Sequence, residues 1–144
     1  MSWSADYVGL PYLDRGRSWD GADCWGLVRI VYSDQLGILL PSYAGDYASA
    51  EEAGEVAAAV SRAFAPSPSW EAVTDAGLAF DVLVFRAGRQ GLHVGVRVDR
   101  SRMLHMAEGD CAKVELLGHP RWSRRLQTSW RLVGTGGGAC AQVA

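Results

Sequence analysis

Apolar positions along the chain follow two spacings, helical in the first half and strand-like in the second. Between Asp23, a favourable N-cap residue, and Gly37, a residue type that commonly ends helices, apolar side chains recur at helical spacing. This spacing predicts a helix over residues 24–35. A second helix is predicted over residues 49–64, because a Ser-Ala-Glu-Glu capping box begins an alanine-rich run that prolines follow.

Beyond residue 78 the pattern changes to alternation or to short continuous apolar runs, both of which are typical of strands. These runs lie at residues 79–85, 92–98, 103–107, 113–117 and 130–133. The connections between them are too short for regular helical crossovers, so we expect neighbouring strands to pair antiparallel. The sequence therefore predicts an α+β fold, with N-terminal helices packed on a C-terminal antiparallel sheet.

The length of 144 residues corresponds to one compact domain. We expect this domain to span residues 1–134 and the glycine-rich stretch 135–144 to form a mobile tail. The formal net charge of -2 gives no overall positive field that would attract nucleic acid. No apolar run reaches the ~18 residues of a membrane span, and the first residues lack the segments of a secretory signal. We therefore expect synthesis in the cytoplasm, without a signal peptide or membrane span.

The three cysteines, Cys24, Cys111 and Cys140, are odd in number and include no Cys-x-x-Cys pair. This pattern argues against a disulfide framework and a four-cysteine zinc site, and we predict no cofactor. Cys24 differs from the others because it lies in the first turn of the predicted helix. A thiol at a helix N-terminus has a lowered pKa, since the helix dipole and free N–H groups stabilise the thiolate. Cys24 is therefore a candidate nucleophile, and the alternative is a buried, inert cysteine.

A base for this nucleophile has to come from elsewhere, and His93 and His105 lie on consecutive predicted strands. If His105 pairs with Gly95, the two histidines become diagonal neighbours on one face, about 7–8 Å apart at Cα. A slip of one residue would put them on opposite faces. Because glycine permits the close approach of another element, we expect the Cys24 helix to pack over Gly95 and bring the thiol near His93.

Together, these three side chains fit nucleophilic catalysis. His93 would take the thiol proton of Cys24, giving an ion pair, and His105 would orient His93 through its other ring nitrogen. A second interpretation is that both histidines are ordinary half-buried polar residues. A third is a zinc site formed by the same three residues, although no metal-binding spacing anchors it. His119 precedes a proline and is expected to be a solvated loop residue.

Several short motifs occur in a characteristic order along the chain. They are Gly9-Leu10-Pro11-Tyr12, Asp23-Cys24-Trp25-Gly26-Leu27-Val28, Phe80-Asp81-Val82-Leu83-Val84-Phe85, His93-Val94-Gly95-Val96 and Leu104-His105-Met106-Ala107. In order, spacing and residue type, this set resembles the motifs of the NlpC family of bacterial cell-wall cysteine peptidases. The resemblance covers residues 7–109. It implies a compact papain-like fold and hydrolysis of amide bonds in the peptide stems of peptidoglycan.

The resemblance also implies individual roles. It maps Cys24 to the nucleophile, His93 to the base and His105 to the orienting position. It matches Tyr12 to a tyrosine of the oxyanion region, where the backbone N–H of Cys24 would also stabilise a tetrahedral intermediate. Asp23, beside the nucleophile, is expected in the same oxyanion and substrate-binding region. The implied function is a cysteine endopeptidase that acts on stem peptides through a Cys24 acyl-enzyme.

Two residues depart from the usual pattern of the family. Trp25 stands where most secreted members have serine, and the Asp-Cys-Trp-Gly form is similar to a subgroup encoded with phage tails and gene-transfer agents. Phe80 replaces the usual glycine before Asp81. We therefore expect a protein carried on a phage or phage-like particle, with tail or baseplate proteins as partners. The stretch at residues 121–125, together with Trp122 and Trp130, is alternatively a docking surface for a particle protein.

Two other functions stay open. One is a structural tail or baseplate module of the same fold whose groove is occluded by partners. The other is a thiol acyltransferase that passes the acyl group to an amine or a lipid. The presence of Cys24, His93 and His105 together favours chemistry over a scaffold, and the polar loop at residues 14–17 gives no sign of an apolar acceptor channel.

Overall fold

The computed structural model describes residues 2–40, 70–87, 91–106 and 109–132. The predicted helix over residues 49–64, the predicted tail at residues 135–144 and the boundary at residue 134 lie outside these ranges. In the part of the chain that is described, no helix has the length and apolar character needed to cross a membrane.

The first helix begins where the sequence predicts it. A 3₁₀ turn (Trp3–Tyr7) and a two-stranded hairpin, β1 (Arg17–Ser18) and β2 (Gly21–Ala22), precede α1 (Cys24–Val31). The Asp23 side chain accepts a hydrogen bond from the Gly26 N–H and caps α1. A π-helical turn (Tyr32–Leu36) continues α1 until Gly37, whose φ of 67° ends the helix.

The remaining elements are β3 (Trp70–Ala72), β4 (Val82–Ala87), β5 (Gly91–Arg97), β6 (Arg102–Met106), β7 (Ala112–Leu116), α2 (Pro120–Ser123) and β8 (Leu126–Leu132). Strands β3 to β8 form one sheet in the order β3-β8-β4-β5-β6-β7, and each neighbouring pair is antiparallel. α1 packs on this sheet. The predicted α+β class is therefore confirmed.

Two strands differ from the prediction at the β3–β8 side of the sheet. β3 was not predicted, because it has only three residues and only Trp70 among them is buried, so it shows no strand periodicity. It is recognised as a strand by its pairing with β8. β8 begins at Leu126, before the predicted start at residue 130. Its side chains are mostly half-buried and show no alternation that would reveal the strand. Both strands are therefore defined by backbone pairing rather than by hydrophobic pattern.

The two faces of the sheet are covered by different elements. The core on the α1 side includes Val82, Val84, Val94, Val96, Leu104 and Met106. The opposite face, which we call the second face, carries Leu83, Phe85 and Met103 packed against Trp122 of α2. Side chains alternate along β5, so His93 and Gly95 point to the second face. The expectation that α1 packs over Gly95 is therefore wrong, because the apolar valines of β5 lie on the other face.

Gly26→Ala is expected to destabilise the fold by about 2–3 kcal/mol, because the first turn of α1 touches the backbone of the preceding loop. A Cβ atom at Gly26 would lie 2.1 Å from the carbonyl oxygen of Gly16. Unfolding in urea measures the loss. Gly118→Ala is the matched control, since a Cβ atom there meets nothing within 4 Å. Equal stabilities of the two variants would contradict the close approach.

Candidate active site

Cys24 is the first residue of α1, and its half-buried thiol lies against the strand that carries His93. The sulfur accepts hydrogen bonds from the backbone N–H groups of Val94 and Trp25. Burial, and to a smaller extent the charge of Asp23, raises the pKa of the Cys24 thiol to about 12. The thiol is therefore neutral at pH 7. The lowered pKa expected from the helix N-terminus is wrong, because desolvation outweighs the two N–H groups.

His93 and His105 lie side by side on the second face of the sheet. His105 pairs with Gly95 across β5 and β6, so the predicted register is confirmed. His93 Nε2 and His105 Nδ1 are 2.9 Å apart, and the two rings meet edge to face. The missing side chain of Gly95 makes room for this pair, since a Cβ atom there would lie 3.1 Å from the His105 Cβ.

Glu115 on β7 extends this chain of hydrogen bonds. Its Oε2 atom bonds to Nε2 of His105, whose side chain is fully buried. Burial acts to raise the pKa of Glu115, but the interactions with His105, Trp122 and Lys113 together outweigh it and lower that pKa. Glu115 is absent from the site predicted from sequence. The available signal was the alternation in β7, which puts Lys113 and Glu115 on the same face as His105.

Both imidazoles are neutral at pH 7. Burial, followed by the charges of His105 and Arg125, lowers the pKa of His93 to about 3. Burial also lowers the pKa of His105, although the hydrogen bond to Glu115 opposes it. Among the described residues no hydrogen bond joins the Cys24 thiol to His93, whose Nε2 is engaged by His105. The site therefore combines a neutral thiol with a neutral base, in place of the expected ion pair.

A metal centre was another interpretation of Cys24, His93 and His105. Within the described ranges, no group of three or more His, Cys, Asp or Glu side chains is placed to hold a metal ion. Both ring nitrogens of His105 are already in hydrogen bonds, to His93 and to Glu115. His105 therefore has no nitrogen to offer as a ligand in this arrangement.

The other two residues predicted for the site have partners of their own. The Tyr12 hydroxyl donates a hydrogen bond to Oδ1 of Asp14 over 3.4 Å, and its backbone pairs with β2, just before the cysteine. Asp23 is only 2% exposed, and its Oδ1 accepts hydrogen bonds from the Gly26 N–H and from Arg17. Asp23 thus fixes the start of α1 from a buried position.

Trp122 packs against the two histidines instead of forming an exposed surface. Its indole is 4% exposed, and its ring centre lies 4.7 Å from that of His105 and 5.7 Å from that of His93. The guanidinium groups of Arg121 and Arg125 lie over the indole. The alternative in which Trp122 forms part of a docking surface is therefore wrong, because this indole covers the second face.

A sequence model described as the NlpC/P60 family matches residues 9–131. The chain belongs to the NlpC/P60 family. This NlpC/P60 chain is 26% identical over 133 residues to the murein DD-endopeptidase MepS/murein LD-carboxypeptidase of Escherichia coli K12, covering 92% of the chain and 61% of that relative. The chain thus spans about three fifths of the length of the curated relatives it matches.

Solved structures of the same family have the same fold. A Staphylococcus aureus protein of the NLP/P60 family, described as similar to lipoprotein, has a TM-score of 0.63 and 26% identity. The match covers 92% of this NlpC/P60 chain and 39% of that protein. The NlpC/P60 domain of the peptidoglycan hydrolase SagA has a TM-score of 0.57 at 21% identity. That match covers 90% of this chain and 92% of the SagA domain chain. The papain-like α+β fold implied by the sequence motifs is therefore confirmed.

Proposed function

We propose that this NlpC/P60 chain is a cysteine endopeptidase that cleaves amide bonds in peptidoglycan stem peptides. One observation carries the proposal: the Cys24 sulfur contacts the backbone of β5 beside His93, and His105 holds Nε2 of His93. Nδ1 of His93 is then the ring nitrogen left to take the thiol proton. Because α1 and the His93 ring lie on opposite faces of the sheet, the proposal requires that the sulfur and this ring meet at the edge of β5, where the Val94 N–H reaches the sulfur. The relative named as a murein DD-endopeptidase supports the choice of substrate.

The reaction begins when His93 Nδ1 takes the Cys24 proton as the sulfur attacks the substrate carbonyl carbon. The raised pKa of Cys24 and the lowered pKa of His93 keep both groups neutral in the resting site, so the proton moves only as the sulfur attacks, by general-base catalysis. The imidazolium then gives its proton to the leaving amine, the C–N bond breaks, and an acyl-enzyme remains. Water, deprotonated by the same nitrogen, hydrolyses the thioester and regenerates the thiol.

Tyr12 and Asp23 have supporting roles in this proposal. The Tyr12 hydroxyl and the backbone N–H of Cys24 stabilise the oxyanion of the tetrahedral intermediate. For this, the hydroxyl exchanges its long 3.4 Å hydrogen bond to Asp14 for the substrate oxygen. Asp23 acts by capping α1, which keeps the first turn and the thiol in place.

Incubation of the purified chain with muropeptides, followed by mass spectrometry, tests the function. We expect stem-peptide fragments from the parent chain and from Cys111→Ala, and none from Cys24→Ala. Cys111 is the matched control, because it is also a half-buried free cysteine. Cleavage by Cys24→Ala would exclude the acyl-enzyme. Transfer of the acyl group to an added amine, with no hydrolysis product when the amine is absent, would identify a thiol acyltransferase instead.

We further propose that residues 1–134 form one peptidase domain carried on a phage or phage-like particle, with tail or baseplate proteins as partners. Support comes from the Asp-Cys-Trp-Gly motif, in which Trp25 is a buried core residue. Particles that carry Cys24→Ala should assemble but fail to cross the cell wall. Normal transfer by such particles would favour the structural module over the enzyme.

A further inference from the structure

The buried His105 has hydrogen-bond partners at both ring nitrogens, and Glu115 is the only one of them that is a carboxylate. We infer that Glu115 is a positioning residue for the peptidase reaction, which selects the tautomers of His105 and His93 and makes Nδ1 of His93 the basic nitrogen. This inference rests on the proposed function and adds a fourth residue to it.

The selection follows from donor and acceptor rules. An ionised carboxylate only accepts, so His105 Nε2 must donate to Glu115. A neutral imidazole has one N–H, so His105 Nδ1 then accepts, and the donor is the Nε2–H of His93. His93 Nδ1 is left without a proton. The carboxylate thus determines the protonation of a ring that it does not touch.

The reverse arrangement is chemically available without the carboxylate. If His105 carried its proton on Nδ1, it would donate to His93 Nε2, and the proton of neutral His93 would sit on Nδ1. That nitrogen could not then act as a base. Glu115→Gln permits both arrangements, because the amide oxygen accepts while the amide nitrogen donates. The substitution therefore removes the selection and the charge while retaining a hydrogen-bonding side chain.

The charge of Glu115 also opposes the positive groups around the pair. The charged or titratable groups facing these rings are Glu115 and Lys113 from β7, Arg121 from α2, Arg125 after α2, and each other's imidazole. Lys113 is bound to Asp110 at 2.5 Å. Glu115 is the negative group in direct contact with the rings, so it stabilises the positive charge that His93 gains as it takes the thiol proton.

Kinetics of Glu115→Gln against Glu71→Gln test the inference. Glu71 is an exposed residue of β3, at the opposite edge of the sheet, and provides the same chemical change away from the site. We expect Glu115→Gln to lower kcat about 100-fold with little change in KM, and to move the acid limb of the pH profile to lower pH. Glu71→Gln should match the parent. Unchanged kcat and pH profile in Glu115→Gln would overturn the inference.

Nitrogen-15 NMR of the histidine rings gives a readout that does not depend on activity or on a variant. In the parent chain we expect protonated Nε2 and unprotonated Nδ1 on both His93 and His105. In Glu115→Gln we expect mixed tautomers. A parent spectrum with protonated Nδ1 on His93 would overturn the inference. If the parent cleaves no muropeptide but shows the expected tautomers, the proposed function fails while the tautomer selection stands.

Discussion

Replacing His93 with asparagine is expected to lower kcat/KM for stem-peptide cleavage by about three to four orders of magnitude. Asparagine is polar but has no basic nitrogen, so nothing takes the proton from Cys24. Spontaneous ionisation does not replace the base, because a thiol with a pKa of about 12 is ionised in only about one molecule in 10⁵ at pH 7. The base is therefore needed in every turnover.

His119→Asn is the matched control for His93→Asn. His119 is exposed and caps α2 by accepting a hydrogen bond from the Arg121 N–H at Nδ1. Asparagine caps helices equally well, so this variant should cleave muropeptides at the parent rate. Initial rates and thermal melting should be measured for both variants. If His93→Asn folds and retains more than about a tenth of the activity, His93 is not the general base.

The pH profile of the parent chain is a second readout of the same prediction. Burial, with the charges of His105 and Arg125, lowers the pKa of His93 to about 3, so the ring stays neutral as the pH falls below its ordinary value of 6.5. A base with a lowered pKa keeps its activity to lower pH. We therefore expect kcat/KM to hold between pH 7 and pH 5. An acid limb centred near pH 6.5 would show a solvated, ordinary histidine instead.

Local rules were sufficient to predict the elements that carry the proposed catalytic residues. The cap at Asp23 and the stop at Gly37 defined the helix that begins at Cys24. Strand alternation and a short turn predicted that His105 pairs with Gly95. The Asp99 carboxylate stabilises this turn by accepting hydrogen bonds from the backbone N–H groups of Ser101 and Arg102. These features depend on neighbours close in sequence, which is why the sequence reveals them.

Features that depend on burial or on several strands could not be predicted in the same way. Glu115 on β7 and His105 on the neighbouring strand β6 are diagonal partners, ten positions apart in the chain, so no short sequence motif contains their contact. The raised pKa of Cys24 comes from desolvation by the assembled core, which opposes the local effect of the helix N-terminus. Trp122 is adjacent to arginines in sequence, yet it is buried because α2 covers the second face.

Phe80 shows how a departure from a motif is accommodated. Its φ of 73° lies in the left-handed region that favours glycine, which gives a physical reason for the usual glycine at this position. A side chain in this conformation costs about 1–2 kcal/mol. The ring of Phe80 stacks on Trp3 with 4.6 Å between centroids, and its carbonyl accepts a hydrogen bond from Tyr32. These contacts offset the strain, so Phe80 holds the left-handed backbone conformation before Asp81.

Asp81→Ala is expected to destabilise the fold by about 3 kcal/mol. This value is at the lower end of the range for removing one partner of a buried ion pair, because the other partner, Arg131, is partly exposed. Asp81 is 1% exposed, and both of its carboxylate oxygens accept hydrogen bonds from Arg131 on β8, at 2.8 and 2.9 Å. One of them also accepts the Leu78 N–H. Alanine leaves this N–H unsatisfied and Arg131 without its buried partner. We expect a fall in melting temperature of about 10 °C.

Asp75→Ala separates burial from charge, because Asp75 binds the same guanidinium from an exposed position. Both variants remove one negative charge next to Arg131, so long-range electrostatics change similarly. An exposed ion pair contributes little to stability, since water solvates its members almost as well as they solvate each other. We therefore expect Asp75→Ala to lower the melting temperature by only a small part of the fall caused by Asp81→Ala. Equal melting temperatures for the two variants would mean that Arg131 holds both carboxylates with equal strength and that the burial of Asp81 adds nothing.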